Sequence, residues 1–335
     1  MSTEFRLFEV TDVVFDEILI QLELNEIFNL SLCSLKTLNI IRRHMRKSIK
    51  YPLFVDTKDN YEMSFGFIRN GKRVIMMSVR ENEMSDERRE IEKVNLGGQK
   101  TQISRYDDHI AFFGSSTDDM HRGYLSVLKQ IIHVFPEDIH TLHCDSPWPF
   151  LLIPLKREYL HMLYVGSEEY KLYWNLVNFE FKNSAITRGL QLCSYVSKYY
   201  DFTLTRNYEY IRVERAPEAQ LDDVLKVARR SKEVIFDQSL LTSQCPNIFF
   251  NLWLENCIDG LKFLSVEVFF FDESSAFKRI EHRISDTTEE VNYKSYTGEI
   301  YRLSPGKRLR RDDGVNALFY YNPFTNVLNF GILTC

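Results

Sequence analysis

Apolar residues recur every three or four positions between residues 8 and 48, a spacing that predicts three short helices. Thr11 or Asp12 is placed to cap the first of them. At about 100° per residue, Val14, Phe15, Ile18, Leu19 and Leu22 make one core-facing stripe about 140° wide. Val13 and Ile20 fall on nearly the opposite side of the same helix, between Asp16 and Glu17. A three-helix unit this small cannot bury two faces of one helix by itself. Each buried aliphatic side chain stabilises by roughly 1.5–3 kcal/mol, so the surplus apolar face predicts a protein partner. In the third helix Leu35, Leu38, Ile41 and Met45 share a stripe, and Arg42, Arg43, Arg46, Lys47 and Lys50 form a solvated basic rim. Cys33, in an apolar setting, is expected to be a buried small hydrophobe.

The pattern changes at Tyr51. Up to about Gly114 it alternates, which predicts antiparallel strands. The clearest pair is Tyr61–Ile68 and Arg73–Val79, joined through Asn70-Gly71, whose two residues favour the positive φ of a tight hairpin turn. The polar run Arg80–Glu92 predicts an exposed loop or a frayed helix. From Asp118 helices and strands alternate. Tyr124, Leu125, Leu128, Ile131, Ile132 and Phe135 mark a helix that ends before Pro136. Tyr208–Val213 reads as a strand, Leu221–Ala228 as a helix and Glu233–Phe236 as a strand; Pro246 opens a helix carrying Phe249, Phe250, Trp253 and Leu254. Leu261–Phe271 reads as a long apolar strand. The strand centres Ile211, Ile235 and Val266 are spaced like a degenerate leucine-rich-repeat array. Strands alternating with helices favour parallel pairing through crossover helices. The tail from Thr297 returns to hairpins, with turn signals at Ser304-Pro305-Gly306, Asp312-Asp313-Gly314 and Asn322-Pro323. The fold class expected is mixed α+β and α/β: three helices, then antiparallel strands, then a strand–helix array ending in hairpins. The boundaries are 5–50, 51–117 and 118–335.

Composition adds limits. Hydrophobic residues are 44% of the chain, with 25 Phe and 18 Tyr, enough to pack a core and exclude global disorder. The formal net charge of −5 is spread over both signs, which excludes a domain-wide basic surface and argues against nucleic acid as a partner. The six cysteines, Cys33, Cys144, Cys193, Cys245, Cys257 and Cys335, have no paired spacing, so a reducing intracellular home, cytoplasmic or nuclear, is expected. Charges interrupt every apolar run, so no membrane span is expected.

Candidate chemistry is sparse. His140, His143 and Cys144 make half of a metal site at most, since zinc takes four ligands and on a strand the two histidines face opposite sides. Gly97-Gly98 lacks the context of a phosphate loop. Asp312-Asp313 is better placed as a hairpin turn than as an acid–base pair. Trp174 and Trp253 suit a core, while Pro147-Trp148-Pro149 could set Trp148 on a loop as a client contact. No metal, no cofactor and no catalytic group are expected.

The run Phe8-x-Val10, Val14, Ile18-Leu19, Leu22, Glu26-Ile27, Leu30-Ser31-Leu32-Cys33-Ser34 and the helix from Lys36 to Lys47 resembles an F-box. Where that family usually has Leu-Pro, this chain has Glu9-Val10. The remainder resembles a type 2 F-box-associated domain of the expanded nematode-type family. The matching stretches are Tyr210–Ala216, Leu221–Ala228, Glu233–Phe236, Ser239–Ser243, Asn247–Leu254, Gly260–Leu264 and Arg311-Asp312-Asp313-Gly314 with Ala317. The resemblance implies that residues 5–50 dock on a Skp-family adaptor and through it a cullin of a ubiquitin ligase, and that 118–335 holds a protein client. Carried over by position, the adaptor-facing set is Phe8, Val10, Val14, Ile18, Leu22, Ile27, Leu30 and Leu35, some of them internal core. The helical wheel adds Val13 and Ile20. A protein-interaction scaffold uncoupled from ubiquitination is the alternative.

Overall fold

The computed structural model of the chain describes residues 7–48, 52–59, 62–81, 91–96, 99–105, 110–114, 117–135, 139–144, 160–166, 187–196, 200–288, 290–303 and 305–333. The chain divides into two compact units, Met1–Arg157 and Glu158–Cys335. Both sequence boundaries, after residues 50 and 117, fall inside the first.

In the first unit a single 3-10 turn, Leu7–Glu9, precedes α1 (Asp12–Gln21), α2 (Leu24–Ser31) and α3 (Leu35–Ser48). Thr11 stands at the N-cap of α1 in extended backbone, with no cap bond from its side chain. A reciprocal capping box between Glu23 and Glu26 opens α2. Then come β1 (Leu53–Asp59), β2 (Glu62–Arg69), β3 (Lys72–Glu81), β4 (Ile91–Leu96), β5 (Gln99–Arg105), β6 (Ile110–Gly114), α4 (Thr117–Val134) and β7 (Ile139–Cys144). The strands lie in the order β7-β1-β2-β3-β6-β5-β4. Asn70 and Gly71 turn β2 into β3 with φ of 51° and 75°, as expected. The ends of the polar run 80–92 belong to β3 and β4, and 82–90 lie outside the described residues.

This sheet is not purely antiparallel. β3 pairs with β6 and β1 with β7 in parallel register. The reason is the connections: the β4–β5 hairpin and α4 carry the chain across before it pairs, and a parallel pair needs such a crossover. The helical module packs onto this unit. Gln130 Nε2 on α4 donates to Ser31 Oγ on α2 at 3.3 Å, Arg42 Nη1 on α3 lies 3.4 Å from His133 Nε2, and Arg69 Nη1 on β2 donates to Glu23 at 2.6 Å. Ile27, Phe28, Ile41 and Met45 are buried there, with Tyr124, Leu128 and Ile131 of α4.

The second unit contains β8 (Leu160–Val165), β9 (Thr187–Tyr195), β10 (Tyr208–Arg215), α5 (Leu221–Ala228), β11 (Ser231–Leu241), α6 (Cys245–Leu254), β12 (Phe263–Val268), α7 (Glu273–Ala276), β13 (Ile284–Thr287), β14 (Asn292–Lys294), β15 (Ile300–Arg302), β16 (Gly306–Arg310), β17 (Asn316–Asn322) and β18 (Val327–Ile332). β8 through β12 are parallel neighbours; β18, β17, β16 and β13 continue antiparallel from β12. Helices α5 and α6 carry the crossovers β10→β11 and β11→β12, as the alternation of elements predicts. Ile211 pairs with Val234 and Ile235 with Ser265, each within one residue of the spacing read from the sequence. The long strand expected at Leu261–Phe271 is shorter: β12 stops at Val268, and the chain turns through Phe270 (φ 55°) towards Asp272, which caps α7. An apolar run sets no length limit on a strand; the turn does. On α6, Phe249 and Trp253 pack edge-on against Phe330 at 5.0 and 5.3 Å, and Phe250 lies 4.9 Å from Phe319. The turns expected at Asp312-Asp313-Gly314 and Asn322-Pro323 are in place.

Candidate docking surface and the covered face of the second unit

The amphipathic pattern of α1 sets which side chains it can hide. Phe15 and Leu19 are buried, with Ile18 and Leu22 half-buried. His44 of α3, itself buried, receives this face: Phe15 meets its ring edge-on at 4.9 Å, and its Nδ1 lies 2.5 Å from Asp16 Oδ1. Asp12 stands 3.6 Å from the other ring nitrogen. Val14, expected in the core stripe, is 46% exposed, because only the arc centred on Phe15 and Leu19 reaches α3.

The opposite face stays open. Val13 is 72% and Ile20 52% exposed, as the helical wheel requires. They are seven positions apart, hence about 20° apart on the wheel, and form one stripe. Leu35 is 67% exposed, against its expected place in the α3 core stripe. It is the first residue of that helix, nine residues or about 13 Å along the axis from His44, and its partners in the stripe, Leu38, Ile41 and Met45, are buried without it. Val10 and Leu30 are half-buried. Ile27 is fully buried and belongs to the core, not the surface. The side chain of Phe8 lies outside the described residues, as do Trp148, Trp174 and Gly97-Gly98. Cys33, expected to be buried, is exposed. It follows the last turn of α2, where Leu32 takes the inward position and Cys33 Sγ faces Asn29 O at 3.7 Å.

The second unit carries a feature that periodicity does not reveal. The two-stranded hairpin β14–β15 lies over one face of the parallel strands. Tyr293 stacks on Phe263 at 4.5 Å with rings nearly parallel, and Tyr301 packs on the same ring at 4.7 Å. Tyr296 stacks on His161 at 4.5 Å and faces Tyr210 at 6.0 Å. Gly189 makes room for it: a Cβ there would stand 3.1 Å from the Tyr296 ring and 2.3 Å from Met162 Sδ.

Charged groups fix the hairpin. Glu233, buried on β11, accepts from Tyr293 Oη at 2.9 Å and from the Tyr296 backbone N–H at 2.8 Å. Burial raises its pKa, partly offset by those two donors. Arg212 donates from Nε to Asp237 at 2.6 Å and from Nη1 to Glu299. Burial raises the Asp237 pKa, opposed by Arg212. Burial also lifts the Tyr296 phenol to about 12, and burial with nearby Arg188 lowers His161. The only sequence signal was the Tyr-rich run Tyr293, Tyr296, Tyr301 around Thr297-Gly298.

Other candidate groups are engaged structurally. His140 Nδ1 lies 3.0 Å from Thr141 Oγ1 and His143 Nδ1 3.4 Å from Asp56. Arg283 holds Asp312 at 2.6 Å and Arg311 holds Asp313 at 2.6 Å, so both carboxylates serve the turn and titrate below their usual range. Among the described residues no group of three or more His, Cys, Asp or Glu side chains is placed to hold a metal ion. No described helix is long and apolar enough to cross a membrane.

No protein-family model, curated protein or solved structure matches this chain.

Proposed function

We propose that the chain is the substrate-recognition adaptor of a Skp–cullin–F-box ubiquitin ligase, in the cytoplasm or nucleus. Helices α1–α3 dock on the Skp-family adaptor. The second unit, a short leucine-rich-repeat-like array in β8–β12 with α5 and α6, holds a protein client. One observation carries the reading: a small helical module seats its inner face on its own chain and leaves Val13, Ile20 and Leu35 in water. Exposed aliphatic side chains on a module that already has a core are what a protein partner would cover. The protein's contribution is proximity: it positions a client for chemistry performed elsewhere.

Co-expression with a Skp-family adaptor tests this. Wild type is expected to co-purify with the adaptor, and Val13→Asp with Ile20→Asp to abolish capture in a chain that remains folded. Absence of adaptor capture by folded wild type would defeat the reading. Client binding that persists without adaptor binding would favour the uncoupled scaffold, which the Glu9-Val10 departure from Leu-Pro supports.

A further inference from the structure

A cleft of about 500 Å³ opens where β9, β10 and β11 begin, at Thr187, Tyr208 and Ser231. Five basic side chains line it, Arg188, Arg206, Arg229, Arg230 and Lys232, against the single carboxylate of Glu209. That carboxylate is committed to Lys232 at 2.8 Å. Arg229 and Arg230 are exposed and make no ion pair with another described residue. Their backbone is held in place: Tyr208 N–H donates to Arg230 O at 2.7 Å, and both arginine N–H groups close the last turn of α5. The Arg206 guanidinium lies 4.7 Å from the centre of the Tyr208 ring and reaches its hydroxyl at 3.2 Å.

Helix-dipole complementation accounts for part of this. Cations at the carbonyl end of α5 are favourable wherever a helix ends. It does not account for Arg188 and Arg206, which come from other segments, nor for Ser231. The Ser231 side chain is buried, lines the cleft, and its Oγ has no hydrogen-bond partner among the described residues. A buried hydroxyl left unpaired costs about 1–3 kcal/mol, and here it stands among cations, where an oxyanion would accept its proton.

We infer that this cleft binds a phosphate monoester, with Arg229 and Arg230 gripping the oxygens and Ser231 Oγ donating from the floor. A dianionic group fits the charge excess better than one carboxylate, and guanidinium forks match its oxygens in pairs. The inference is independent of the adaptor reading, since no residue of α1–α3 takes part.

The test uses the full chain and a fluorescent phosphoserine peptide in about 150 mM salt, with unphosphorylated and Glu-substituted versions, and with inorganic phosphate and O-phosphoserine as competitors. The phosphopeptide is expected to bind at least about tenfold tighter than the unphosphorylated one. Arg229→Ala with Arg230→Ala should cancel that difference and Ser231→Ala should reduce it about threefold, while Arg310→Ala on β16 leaves it intact. Competition by O-phosphoserine and inorganic phosphate alike assigns the site to the phosphate group itself; competition that needs the peptide assigns it to a phosphorylated segment. Phosphate-independent binding, or a preference that survives loss of both arginines in a folded chain, overturns the inference.

Discussion

Arg212 Nη1 donates to both carboxylate oxygens of Glu299, at 3.0 and 3.1 Å, and so ties β10 to the loop between β14 and β15. The same guanidinium holds Asp237 on β11, so one side chain joins two parallel strands to the hairpin that covers them. Arg212→Ala is expected to destabilise the chain by about 1–3 kcal/mol, because it leaves the half-buried Asp237 without its partner. The Glu299 share is small, since that carboxylate is half exposed and screened by water. Urea unfolding measures the loss, and limited proteolysis should show faster cleavage within residues 290–303. An unchanged midpoint with unchanged cleavage would remove Arg212 as the latch.

The buried Glu233 gives the second unit a pH dependence of definite sign. Its folded pKa lies above its unfolded value because burial disfavours the carboxylate. The folded state therefore binds the proton more tightly. This contribution to stability is largest at low pH and falls as pH rises from the ordinary Glu value, about 4.3, through the raised folded pKa. Asp237 contributes with the same sign. Glu233→Gln is expected to flatten the dependence of the urea midpoint on pH as pH rises above about 4.3. A slope identical to wild type would show that Glu233 does not titrate in this window.

On the helical module, stability and docking should separate. His44→Ala removes the partner of Asp16 and the edge contact with Phe15, at an expected loss of about 1–3 kcal/mol. Val13→Asp and Ile20→Asp alter only exposed positions and should stay within about 0.5 kcal/mol of wild type. Thermal unfolding of the three variants decides this; destabilisation by Val13→Asp comparable to that of His44→Ala would mean that Val13 is core.

The local elements are legible along the chain, because each of their signals is short-range. Helical spacing gave α1–α4, Asn70-Gly71 gave the β2–β3 turn, and strand–helix alternation gave the parallel run β10–β12. Helical spacing also located the outward stripe of Val13 and Ile20, since the wheel depends on one helix alone. What each apolar face meets is set by packing between elements distant along the chain. Leu35 and Leu38 belong to the same sequence stripe, yet only Leu38 is buried: Leu35 opens α3, while α1 and α4 meet that helix further along, at His44 and Arg42. The parallel pairings of β3 with β6 and β1 with β7 depend on crossovers that alternation cannot reveal. The hairpin carrying Tyr293, Tyr296 and Tyr301 meets partners as far back as His161 and Tyr210, and the basic cleft draws on residues 188, 206 and 229–232. Periodicity reports how a segment divides its own surface; a contact between residues far apart along the chain leaves no period to read.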